Sequence, residues 1–161
     1  MKRLAVIVAS MACAFSVQAQ QLDLHFACGL DGSMHGEKTF FADNGTVKIN
    51  GTKIEEFYWD SAIFHGDHGL ECLMNESDGL HAEFIGDESR PAWRVLLDDA
   101  AQSRKRQGYT DHRSLNCTVR ITKEGDEVHV NPSCPALCGS RANFSEFRVD
   151  TKTGTCRYED K

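Results

Sequence analysis

Residues 46–59, TVKINGTKIEEFYW, decide the fold class. Two runs of strand-forming residues, Thr46 to Ile49 and Ile54 to Trp59, flank Asn50-Gly51, the strongest short hairpin signal in the chain. Upstream, Leu22, Leu24, Phe26 and Cys28 alternate with Asp23, His25 and Ala27, the period of a half-buried strand. Asp31-Gly32-Ser33 and His35-Gly36 are turn material, and Thr39 to Ala42 is a short strand ended by Asp43-Asn44-Gly45. Downstream, Ala62 to Gly69 is expected as a loop carrying two histidines, with further strands at Leu70 to Met74, Leu80 to Ile85 and Ala92 to Leu97. A second hairpin is expected around residues 123–126, between Leu115 to Thr122 and Glu127 to Val130. Phe144, Phe147 and Val149 predict another strand, and Thr155 to Tyr158 the last one. One helix is expected, Asp98 to Gln107, with acidic residues at its start, Arg104-Lys105-Arg106 at its end and Gly108 as its stop. The fold class is therefore mainly β or α+β: a small antiparallel β-barrel or a sheet with one short helix.

The first residues have a different character. Lys2 and Arg3 precede a short apolar run, Leu4 to Phe15, and Val17-Gln18-Ala19 is a small-residue cleavage signal. This is the pattern of a secretory signal peptide over residues 1–19, too short for a membrane span. A second option uses Ser10-Met11-Ala12-Cys13 as a lipoprotein site with Cys13 lipidated. Cleavage after Ala19 leaves 142 residues, 20–161, enough for a single domain with a real core. The leader holds two of the 18 Lys and Arg residues and none of the 24 acidic ones, so the processed chain carries a net charge of −8. Nucleic acid and anionic lipid repel such a chain, whereas a cationic protein partner is attracted to it. The destination is expected to be periplasmic or secreted.

Six cysteines follow the leader: Cys28, Cys72, Cys117, Cys134, Cys138 and Cys156. An even number in an exported chain predicts disulfides. Fifteen connectivities exist. Hairpin register brings Cys117 within reach of Cys134, and the neighbouring pairs Cys28 with Cys72 and Cys138 with Cys156 complete the expected set. Cys134 and Cys138 are separated by three residues, unlike a thioredoxin-type motif, and no second close pair completes a four-cysteine zinc site.

Catalytic signals are sparse. His65-Gly66-Asp67-His68 puts two imidazoles and a carboxylate within four residues, with Glu71 nearby, the donor types of a zinc site. A polar surface loop explains the same residues, because the helical His-Glu-x-x-His of zinc proteases is absent. There is no Gly-x-Ser-x-Gly elbow, no phosphate-cradling or dinucleotide glycine motif, and no catalytic residue or cofactor is assigned. Phe57, Tyr58, Trp59 and Phe64 form an aromatic-rich stretch whose members belong mostly to the core, while one or two exposed rings would make a binding anchor.

The tail from Cys134 to Phe144, closing with Cys156, has the form C-x3-C-G-x-R-A-x-F. It resembles endings of uncharacterised exported proteins of Gram-negative bacteria. In overall build the chain is similar to periplasmic lysozyme inhibitors: a small acidic β domain, a leader and disulfides. The Ser-Gly and Tyr/Lys-Gly inhibitory motifs of those families are not located here, so the resemblance assigns no inhibitory residue. Within the tail, Gly139 permits a tight turn, and Arg141 is expected to brace the disulfide-bounded loop. Three functions remain in view. The first is a non-catalytic periplasmic binding protein, an inhibitor or immunity factor for a cationic envelope-acting enzyme. The second is a small metal-dependent hydrolase using His65, Asp67 and His68. The third is a structural envelope protein without a specific ligand.

Overall fold

The first hairpin is present, with its turn one residue later than the Asn50-Gly51 signal implies. A computed structural model describes residues 20–109, 116–139, 142–159 and 161. The expected leader at residues 1–19, Leu115 and Arg141 lie outside them. In it, β1 (Gln21–Met34), β2 (Glu37–Asn50), β3 (Lys53–His65) and β4 (His68–Asn75) form one sheet in sequence order. Asn50 pairs with Lys53, so the two-residue loop is Gly51-Thr52, with Gly51 at φ 62°. The register then shifts between Lys48 and Ile49, leaving Glu55 as an extra residue on β3. Ile54 and Phe57 are an odd number of residues apart and would otherwise face opposite sides; this bulge turns both toward the core.

A single 3-10 turn, Glu76–Asp78, leads into the second sheet. That sheet contains β5 (Leu80–Phe84), β6 (Ala92–Leu97), β7 (Thr118–Glu124), β8 (Glu127–Pro132), β9 (Phe147–Asp150) and β10 (Cys156–Tyr158), again each beside the next. All neighbours in both sheets are antiparallel. The helix α1 (Ala100–Arg106) lies between β6 and β7 and is shorter than its sequence signals imply. Asp98 and Asp99 are held by the carbonyls of Gly79 and Asp78, so the helix cannot start earlier.

The two sheets face each other across one core of alternating inward residues. Phe26 and Trp59 of the first sheet meet Phe147 of the second, with centroids 4.9 and 5.4 Å apart, and Phe144 closes on Trp59 at 4.8 Å. Edge-to-face geometry suits the ring quadrupoles. The architecture is mainly β with one short helix, as expected, but there is no closed barrel: the sheets are open and share no ladder.

What joins their edges is sulfur. Cys28 of β1 bonds Cys156 of β10, and Cys72 of β4 bonds Cys138 in the loop before β9. Only Cys117–Cys134, within the β7–β8 hairpin, follows the expected pairing. Cys28 with Cys72 is overturned by register. Cys28, Asp43, Ser61 and Cys72 form one row across four strands, about 14 Å end to end at the ordinary strand spacing. A disulfide needs Cα atoms within about 7 Å. Cys138 and Cys156 are correspondingly drawn to opposite edges of the first sheet. Hairpin arithmetic works inside one hairpin and has no access to how two sheets stack.

Between the two cysteines of that row sits a buried carboxylate. Asp43 accepts hydrogen bonds from Trp59 Nε1 at 2.8 Å and from the Tyr158 hydroxyl at 2.9 Å, linking both sheets. Burial raises its pKa above the ordinary value, opposed by bonds from Ser61, Trp59 and Tyr158. The loop carrying Cys138 is held beside it: Ser61 donates to the carbonyl of Asn143 (2.8 Å), and the Asn143 amide donates to the carbonyls of Ser61 (3.2 Å) and Leu70 (2.9 Å). At the other end of β4, the buried Arg104 of α1 pairs with the buried Asp78 and donates to the Leu73 carbonyl at 2.9 Å. The basic run at the helix end therefore supplies a core residue as well as surface charge.

A raised carboxyl pKa means that the folded state holds the proton more tightly than the unfolded chain. The resulting stabilisation is complete below the ordinary carboxyl range and is lost as pH rises through the folded value. Wild-type stability relative to Asp43→Asn, read from urea unfolding between pH 4 and 7, should therefore increase as pH falls. A difference that does not vary with pH would contradict this.

Candidate interaction surface

The expected histidine loop is a tight hairpin. His65 ends β3, His68 starts β4, and the two pair across Gly66-Asp67, with Gly66 at φ 54°. His65 Nδ1 is hydrogen-bonded to the Thr39 hydroxyl at 3.0 Å. Among the described residues, no three His, Cys, Asp or Glu side chains are grouped to hold a metal ion. His65 and His68 are thus cross-strand partners on either side of the turn that contains Asp67.

The outer faces of the sheets differ in how their charges are met. On the second sheet Arg94 lies 2.9 Å from Glu83, Arg148 2.8 Å from Glu127, Arg157 2.9 Å from Glu159 and His129 2.7 Å from Glu146. Charges there are largely compensated within the chain. Among the described residues the first sheet has three such pairs, Lys48 with Glu56, His25 with Asp23 and Lys53 with Glu55, all toward the end away from the His35-Gly36 turn. Among the described residues, Asp31, Asp60 and Glu71 nearer that turn have no ion pair, and Lys38 is the only lysine or arginine on this face without one. Burial, followed by the charge of Glu71, raises the Asp60 pKa. Two carboxylates thus repel one another with no cation between them.

An aromatic pair occupies the same region. Past the bulge, the even-numbered positions of β2 from 40 to 48 and of β3 from 56 to 64 point away from the core, while Phe41, Phe57, Trp59 and Ile63 point in. Phe40 and Phe64 are cross-strand partners, 42% and 39% exposed, with ring centroids 6.4 Å apart and planes 30° from parallel. Each ring lies over a glycine. A Cβ at Gly29 would come within 2.9 Å of the Phe40 ring, and one at Gly69 within 2.9 Å of the Phe64 ring. The rings therefore cover bare backbone on the two edge strands while leaving surface to solvent. Between these edges the adjoining row is built of small residues: Gly29, Ala42 and Ala62, ending in Glu71. An open groove of about 800 Å³ runs from the rings toward the hairpin turns, bordered by Asp31, Ser33 and Lys38.

Of the aromatic stretch read from the sequence, Phe57 and Trp59 are core, and Tyr58 and Phe64 are the exposed rings. Phe40 escaped notice, although adjacent phenylalanines in one strand must face opposite sides, so one of Phe40 and Phe41 had to be outside. Asp31, in a stretch whose composition predicts a turn, is the strand residue directly opposite Phe40.

Compared with known proteins, the chain matches no family model, no curated protein and no solved structure. Among the described residues no helix is long and apolar enough to cross a membrane.

The charge on Glu71 is part of what holds Asp60 in its protonated form to higher pH. Glu71→Gln should lower the Asp60 pKa toward its ordinary value, measured by carboxyl-detected NMR titration. An unchanged Asp60 titration would show that the two groups do not interact.

Proposed function

We propose that this chain is a non-catalytic binding protein of the periplasm, an inhibitor or immunity factor that docks a cationic envelope-acting enzyme. The observation that carries the reading is the contrast between the two outer faces. One neutralises most of its own charge. The other presents a pair of half-exposed phenylalanines flanked by Asp31 and Glu71, with Asp60 further along the same face, and none of these carboxylates meets a cation among the described residues. Aromatic anchors rimmed by charge are the composition of a recognition patch. The net charge of −6 over the whole chain acts in the same direction by steering cationic partners. Three disulfides support assignment to an oxidising compartment and give a rigid platform, which lowers the ordering cost of association.

A photo-crosslinker placed at position 64 in cells, followed by mass spectrometry, should capture an envelope protein of high isoelectric point. The reconstituted complex should weaken as salt is raised and should reduce that enzyme's activity. Capture of acidic or neutral partners only, or an affinity indifferent to salt, would contradict the reading.

A further inference from the structure

Resting on that reading, we infer that the face recognises arginine: guanidinium groups of the partner stack on the Phe40–Phe64 pair and donate to Asp31 on one flank or to Glu71 on the other. The placement follows from strand register. Asp31 lies directly opposite Phe40, so their Cβ atoms are about 5 Å apart. Glu71 is two residues beyond Gly69, the partner of Phe64, which puts it on the diagonal at about 7–8 Å. The two rings thus have a carboxylate on either flank.

The aromatic surface is set for a flat cation. Because Phe40 and Phe64 lie over Gly29 and Gly69, one side of each ring is occupied by backbone, and the exposed remainder is available for stacking. A guanidinium is planar, weakly hydrated and forked, so it can stack on a ring and donate in-plane to carboxylates at the same time. An ammonium is a compact, strongly hydrated point charge and satisfies only one of these demands well. The molecule already contains a cation over a phenylalanine on its other side: Lys161 Nζ sits 4.6 Å from the centroid of Phe41. Among the described residues the outer ring pair has no such cation, although carboxylates able to hold one flank it.

Lys38 provides the sharpest discrimination. It borders the same groove, two residues from Phe40, and has no acidic partner among the described residues. If Phe40 and Phe64 merely cover glycines, Lys38 is irrelevant to ligand affinity. If they seat a cation, Lys38 opposes it.

The test uses the isotope-labelled, purified chain titrated at low salt with hexa-arginine and, separately, hexa-lysine peptides. Arginine should bind more tightly than lysine, with amide shifts concentrated at residues 29–31, 40–42, 62–64 and 69–71. Phe40→Ala/Phe64→Ala should weaken arginine binding by about 5- to 30-fold, the sum of two exposed cation–π contacts. Lys38→Glu, which touches no core contact, should tighten it, and this variant keeps the test valid if the double aromatic variant fails to fold. Shifts centred elsewhere, equal or tighter binding of lysine, or no effect of Lys38→Glu would each overturn the arginine site. Those results would leave a cationic partner possible on another surface; the broader reading falls only if the crosslinking and salt experiments fail as well.

Discussion

One cross-strand row, Cys28–Asp43–Ser61–Cys72, governs the rest of the structure. Its two ends carry the sulfurs that clasp the first sheet to the second, and its middle carries the polar groups that bond across the interface. Open sheets share no ladder, so without this clasp the sandwich would depend on apolar packing and a few isolated hydrogen bonds, such as Trp93 Nε1 to the Gly51 carbonyl at 3.1 Å. The Cys28–Cys156 and Cys72–Cys138 links span 128 and 66 residues of sequence. In the chain-entropy account each such closure stabilises by about 4–5 kcal/mol.

The exposed face follows from this arrangement. Clasping fixes which side of the first sheet is inside, and strand alternation then leaves Phe40, Tyr58 and Phe64 outside. Toward the His35-Gly36 and Gly66-Asp67 turns burial falls away on the inner side too: Leu30 and His65 are half-buried and Leu70 is 39% exposed. The hairpin ends therefore project beyond the core, with the aromatic pair on the outer surface of the projection. The opposite edge of the sheet is blunted: the carbonyls of Leu70 and Leu73 on β4 accept bonds from Asn143 and Arg104. Capping an edge in this way limits strand-to-strand association. Recognition through side chains on a face is consistent with such a design.

Local order was legible in the sequence and assembly was not. Alternation in Leu22 to Cys28 and the two hairpin signals identified real strands, because a half-buried strand imposes a period of two. Asp31-Gly32-Ser33 and Asp43-Asn44-Gly45 misled as turns: they lie inside long strands, where Asp43 is bonded from Trp59 and Tyr158, groups supplied by tertiary contact. The disulfide connectivity failed for the same reason, since Cys28 and Cys72 occupy one sheet and find partners only when the second sheet is laid upon it. Arg104 reads as a helix-end cation, and only the buried Asp78 explains why it is inside. Within the tail, Cys138, Asn143 and Phe144 dock the loop onto the first sheet, a structural role that the sequence pattern does not reveal.

The clasp is tested most directly by peptide mapping of the non-reduced protein with mass spectrometry. The account requires Cys28–Cys156, Cys72–Cys138 and Cys117–Cys134. Linked peptides joining Cys28 to Cys72 or Cys138 to Cys156, or six free thiols in the native protein, would contradict it.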